Sequence, residues 1–101
     1  MKLFIIHCGF YDPNVNGGIY ESHTNYYVAA ADFADARVQA KALPEFKKLK
    51  MHIDGIQELV AVAGHQVVLK PDASLKNKTL LRRQKFGSTK ETLFEMLASE
   101  E

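Results

Sequence analysis

The chain has 101 residues, which is room for one domain with a single modest core. Hydrophobic residues make up 47% and charged residues 25% of the sequence, a balance that excludes a chain disordered over most of its length. The 13 basic and 12 acidic residues leave a formal net charge of +1, so no long-range field favours nucleic acid or an anionic membrane as the partner.

Cysteine content and apolar segments restrict the expected compartment. Cys8 is the sole cysteine, so it cannot form an internal disulfide. The apolar part of the opening segment MKLFIIHCGF is shorter than a secretory signal requires, and no run of about 18 apolar residues is present to span a membrane. We therefore expect a cytoplasmic protein without membrane association.

Two strands are predicted before residue 31. Residues 3–8, LFIIHC, form a short apolar run that suits a buried strand, although a run of this length also fits a buried helix. A loop rich in Pro, Asn and Gly follows over residues 11–18. Residues 18–30 then alternate as a second strand. Its polar face carries Glu21, His23, Asn25 and Tyr27.

The pattern changes to a helical period after residue 31. Asp32 is placed to cap a helix, and Phe33, Ala36 and Ala40 follow at helical spacing. Pro44 should end or kink this helix because it cannot donate a backbone hydrogen bond. A short second helical turn is expected after it.

Two more strands are predicted next. Residues 51–62 form a third strand in which Gly55 marks a bulge or a close approach of backbone. Ala63 and Gly64 predict a tight antiparallel hairpin that leads into a fourth strand over residues 63–71.

The fold class that this order predicts is α+β: a two-layer sandwich, ββαββ with a largely antiparallel sheet, plus a C-terminal helix. The strand order stays open, since the first and third strands could also be parallel neighbours through a crossover. We divide the chain into an α+β core of residues 1–72, a basic linker of residues 73–87 and a terminal helix of residues 88–101. Ser88 and Glu91 have the spacing of a capping box for that helix, which would pack on its own core or on another subunit.

Two short polar patterns are candidates for a functional site. Glu21 and His23 lie two residues apart on one predicted strand, and His52 and Asp54 repeat the arrangement on another. Alternate side chains of a strand share a face, so each pair can point to one place. If the strands are close, two imidazoles and two carboxylates would suit Zn²⁺, Mn²⁺ or Fe²⁺, or serve as an acid–base pair. A structural hydrogen-bond network is the simpler interpretation of the same four residues.

Cys8 and His7 form a second candidate, as a nucleophile and its base. Neighbours on a strand point to opposite faces, so His7 is not placed to activate Cys8. A buried, unreactive thiol is the expected state.

Several of these segments together carry a family resemblance. KLFIIHCGF, ESH, NYYVAA, HIDGIQEL and GHQVVL, in this order, resemble a small bacterial family catalogued as domain of unknown function 1543. Its E-x-H step falls on Glu21 and His23, its H-I-D step on His52 to Asp54, and its hairpin glycine on Gly64. The resemblance covers residues 2–70 and implies a family, but no activity is assigned to that family.

Two functions follow as hypotheses. The first is a self-associating binding or interaction module, expected to be a homodimer that pairs through a sheet edge or the terminal helix. The alternative is a metal-dependent or acid–base enzyme that acts on a small substrate through Glu21, His23, His52 and Asp54. The enzyme requires those side chains to converge within about 4 Å of a common point. The sequence names no cofactor besides this candidate divalent metal and identifies no small-molecule ligand.

Overall fold

The structure is a computed structural model that describes residues 1–96. Its internal contacts divide the chain into two units, residues 1–70 and residues 71 onward. The fold class is α+β with antiparallel sheets, as the alternation of strand and helix patterns predicts.

The first unit is built on a three-stranded antiparallel sheet. Its strands are β1 (Lys2–Tyr11), β2 (Glu21–Ala30) and β3 (His52–Glu58), in the order β2-β1-β3. The first and third strands are therefore neighbours, but they are antiparallel, so the parallel alternative is wrong. The physical reason is that the helical crossover leaves from β2 rather than from β1. It returns the chain as β3, parallel to β2, with β1 between them.

One face of this sheet is covered by two helices, α1 (Phe33–Lys41) and α2 (Pro44–Lys48). Aromatic and aliphatic side chains of the central strand pack beneath them and are fully buried. The Tyr26 hydroxyl donates a hydrogen bond to the carboxylate of Glu45, which ties α2 to β2. The core consists of Phe4, Ile6, Cys8, Tyr26, Ala30, Ala36, Ala40, Phe46 and Met51. Among the described residues, neither α-helix has the length and apolar character needed to cross a membrane.

The helix boundaries agree with the sequence signals. The Asp32 side chain accepts a hydrogen bond of 2.8 Å from the backbone N–H of Asp35 and caps α1. The helix ends at Lys41, and Pro44 occupies the first position of α2, where its missing N–H costs no helical hydrogen bond.

The predicted hairpin at Ala63 and Gly64 is confirmed. It joins β4 (Ala61–Val62) to β5 (His65–Gln66), which pair antiparallel. Both turn residues have positive φ, 49° and 83°, as a two-residue hairpin turn of this kind requires. The prediction of a long fourth strand is wrong. β5 has only two residues and forms a separate two-stranded sheet with β4.

The second unit corrects the prediction of a basic linker and a terminal helix. Within residues 73–96 the chain forms an antiparallel hairpin of β6 (Thr79–Gln84) and β7 (Glu91–Met96). The register pairs Leu81 with Phe94, and the Arg83 guanidinium lies 4.3 Å from the centre of the Phe94 ring. Such cross-strand pairs stabilise a hairpin that helical spacing alone does not reveal.

Ser88, which was expected to cap the terminal helix, stabilises a turn instead. The Ser88 hydroxyl accepts a hydrogen bond of 3.0 Å from the backbone N–H of Lys90, inside the turn that leads to β7. Gly87, with φ of 81°, supplies the left-handed residue of that turn. The last part of the predicted helix, residues 97–101, lies outside the described residues.

Candidate metal centre

The candidate residues lie on the face of the sheet opposite the helices. Glu21 and His23 belong to β2, while His52 and Asp54 belong to β3. Their side chains are exposed to between 32% and 48%, so solvent reaches all four.

The register places a glycine between the two pairs. Gly9 of β1 lies opposite His23 on one side and opposite His52 on the other. Since β1 separates β2 from β3, the outer strands are about 9.6 Å apart, twice the spacing of neighbouring strands. Side chains from the outer strands can therefore meet only by reaching over Gly9.

A β-bulge in β3 places the second carboxylate. His7 lies opposite Gly55 and Cys8 lies opposite Ile53, so Asp54 is the extra residue of the longer strand. The bulge that the sequence predicts around Gly55 is thus confirmed, one residue earlier. A bulge bends its strand and redirects the side chain at that point.

All four candidate side chains come together over Gly9. The Nε2 atom of His52 lies 2.7 Å from Glu21 Oε2 and 3.1 Å from Asp54 Oδ1. The Nε2 atom of His23 lies 3.6 Å from Glu21 Oε1 and 3.4 Å from Asp54 Oδ2. Each imidazole therefore faces both carboxylates, and each carboxylate divides its two oxygens between the two imidazoles.

The cluster depends on the missing side chain of Gly9. A Cβ atom there would press on Glu21 Oε2 and would lie 2.6 Å from His52 Nε2 and 2.9 Å from Asp54 Oδ2. Any other residue at position 9 would occupy the space in which the polar atoms meet.

A cation satisfies this arrangement better than protons do. A single Nε2–H cannot form linear hydrogen bonds with two carboxylates at once. Metal bonds of about 2.0 to 2.2 Å place neighbouring ligand atoms about 2.8 to 3.6 Å apart in octahedral or tetrahedral geometry. The observed separations of 2.7 to 3.6 Å span that range.

Two sets of three ligand atoms converge closely enough to hold an ion. Glu21, His52 and Asp54 form one set, with their ligand atoms within 4.8 Å of one another. His7, His23 and Asp54 form the other. Sequence reasoning considered His7 only as a base for Cys8. His7 lies two residues before Gly9 on the same face of β1, but this position carries no local signal because the role of Gly9 depends on strand pairing.

Cys8 takes no part in this cluster. It points to the opposite face of the sheet and is fully buried. Burial, and next the nearby charge of Asp54, raises the pKa of its thiol above the usual value. The thiol form is therefore favoured, as expected for a packing residue.

A depression of about 570 Å³ adjoins the cluster on the same face. It shares His7 and Asp54 with the cluster and continues toward the other end of the sheet. Its remaining lining consists of Ile5, Asn25, Tyr27, Gly55, Ile56 and Gln57.

Comparison of the chain with protein-family models, with curated proteins and with solved structures finds no match. The resemblance to domain of unknown function 1543 therefore stays a prediction.

Substitution of Gly9 tests the geometry of the cluster. We expect Gly9→Ala to leave the free energy of unfolding within about 1 kcal/mol of the original, because the atoms in its way are the ends of mobile side chains. The same change should lower the affinity for a divalent metal by about 10-fold or more, because removing a group that only orients a metal ligand already costs about 10-fold. Calorimetric titration with Zn²⁺, together with thermal melting, measures both effects.

Gly55→Ala is the matched control, because a Cβ atom at Gly55 meets nothing within 4 Å. Equal Zn²⁺ affinity in the two variants would show that the atoms above Gly9 do not hold the ion.

Proposed function

We propose that this chain is a metal-dependent enzyme in which a divalent ion held by Glu21, His52 and Asp54 activates water for attack on a small substrate. The observation that carries the proposal is the convergence of two imidazoles on the same two carboxylates above Gly9. A structural hydrogen-bond network does not require both imidazoles to face the same two carboxylates.

The ligand set indicates the class of metal. Imidazole nitrogen combined with carboxylate oxygen suits Zn²⁺, Mn²⁺ or Fe²⁺, whereas Mg²⁺ and Ca²⁺ prefer oxygen ligands throughout. Three protein ligands leave coordination positions for water, and the exposure of the side chains lets water reach them. A bound ion lowers the pKa of its water and so supplies a nucleophile at neutral pH.

The adjoining depression supports a small substrate. Ile5 and Tyr27 offer apolar surface, and the amides of Asn25 and Gln57 offer hydrogen bonds. A substrate bound there would present its polar end to the ion, since His7 and Asp54 line both the depression and the cluster.

The same residues could act as an acid–base pair without metal, with Asp54 orienting His52 at 3.1 Å. Metal dependence of turnover separates this alternative from the proposal. We also infer a cytoplasmic location and a relation to domain of unknown function 1543, both from the sequence alone.

Replacing one ligand without changing its shape tests the proposal. Glu21→Gln keeps an oxygen that can accept a hydrogen bond from His52 but removes the charge that binds the ion. We expect untagged protein purified without chelator to contain at least one equivalent of Zn²⁺, Mn²⁺ or Fe²⁺. The affinity for the metal should be at least about 100-fold lower in Glu21→Gln. Elemental analysis and calorimetric titration measure these quantities.

Glu58→Gln, in the same strand as His52, is the control and should bind metal normally. Hydrolysis of activated carboxylic and phosphoric esters should stop when a chelator removes the metal, return when metal is added back, and disappear in Glu21→Gln. Metal-free protein that also fails to take up any of the three ions in titration would overturn the proposal.

A second candidate function is self-association, which the exposed edges of the sheet favour. β2 pairs with β1 along one side, and within the described residues no strand pairs with its other side, where the Ala29 carbonyl accepts a hydrogen bond of 3.0 Å from Gln39 Nε2. A long open edge can pair with the same strand of another copy.

Light scattering tests this candidate. A homodimer gives twice the chain mass of 11.4 kDa, and a mass of 11.4 kDa at every protein concentration would exclude self-association. Glu21→Gln serves as a control here, since it leaves the backbone edge of β2 in place.

A further inference from the structure

The cluster extends beyond the three ligands of the proposed ion. His23 faces both carboxylates from the other side, and His7 lies beside it. Of the four histidines in the chain, three are therefore gathered at this face, while His65 lies in the β4–β5 hairpin.

We propose that the centre holds two divalent ions, with Asp54 bridging them. Glu21, His52 and Asp54 bind the first ion, and His7, His23 and Asp54 bind the second. This inference rests on the proposed function and adds a second metal position to it.

The two sets of ligands share one residue. In each set the three ligand atoms lie within 4.8 Å of one another, and Asp54 is common to both. Its oxygens serve different histidines, with Oδ1 at 3.1 Å from His52 Nε2 and Oδ2 at 3.4 Å from His23 Nε2. A carboxylate that offers one oxygen to each side is the usual bridge between ions about 3.5 to 4 Å apart.

Glu21 has the same division between the two sides. Its Oε2 lies 2.7 Å from His52 Nε2 and its Oε1 lies 3.6 Å from His23 Nε2. Both carboxylates thus run across the cluster from the first position to the second. Two negative charges between two cations offset the repulsion that the ions would otherwise feel.

One ring nitrogen of His7 is available to bind a metal. His7 Nδ1 donates a hydrogen bond of 2.7 Å to the amide oxygen of Asn25, which leaves the lone pair of Nε2 free for a metal. Ligating histidines generally donate their other ring N–H to an oxygen in this way. The His7 ring is stacked on that of His23, with an angle of 6° and centroids 5.0 Å apart, so both imidazoles lie at the same end of the cluster and one of them must rotate for both lone pairs to reach the second ion.

Metal stoichiometry tests the second position. Equilibrium dialysis of the full chain against Mn²⁺ should give two equivalents for the unmodified protein, one for His7→Ala and two for the control His65→Ala. Circular dichroism and thermal melting establish that each variant is folded. Asn25→Ala should retain the first equivalent and weaken the second by about 10- to 100-fold, the usual effect of removing a group that orients a metal-binding histidine.

Paramagnetic resonance gives an independent readout. Two Mn²⁺ ions joined by carboxylates couple magnetically, so the loaded protein should show an exchange-broadened spectrum, and His7→Ala should show the resolved hyperfine pattern of an isolated ion.

The outcomes separate the two proposals. One equivalent in the unmodified protein that His7→Ala leaves unchanged would overturn the second position and leave the single-ion function standing. No binding at all would overturn both.

Discussion

The candidate metal centre of this protein depends on a missing side chain at the centre of its sheet. β1 lies between β2 and β3, and any side chain at position 9 would stand between the polar residues of the two outer strands. With glycine there, Glu21 of β2 and His52 of β3 approach to 2.7 Å over the central backbone. A contact between strands that are not neighbours requires this gap.

The rest of the first unit holds that gap in place. Phe4, Ile6 and Cys8 anchor β1 beneath the helices, and strict alternation then sends His7 and Gly9 to the opposite face. The bulge at Asp54 adds one residue to β3 just beside the gap and thereby supplies a carboxylate with an oxygen for each side. Core packing and site geometry are thus two consequences of the same register.

Much of the first unit could be predicted from local sequence. The Asp32 cap, the break before Pro44 and the Ala63–Gly64 turn each depend on neighbouring residues, and local chemistry identifies them. The E-x-H and H-x-D patterns identified the four side chains that meet. The part played by Gly9 could not be predicted, because it depends on which strands flank β1, and pairing over such distances is not encoded in local spacing.

The second unit, in contrast, could not be predicted from local sequence. The apolar residues near Phe94 fit a helical period and a strand period equally well over so few positions, and the Ser88 spacing favoured the helix. The strand is stabilised by partners such as Leu81 and Arg83, which lie more than ten positions earlier in the chain. Sequence reasoning missed His7 for a related reason, since its partners Asn25 and His23 belong to another strand.

A crystal structure of the protein grown with Zn²⁺, with data collected on both sides of the zinc absorption edge, would show whether the cluster above Gly9 holds a metal ion. We expect an anomalous peak above Gly9, about 2.0 to 2.2 Å from His52 Nε2 and from an oxygen of Glu21 and of Asp54. An empty cluster in crystals that bind zinc at another position, such as His65, would contradict this expectation.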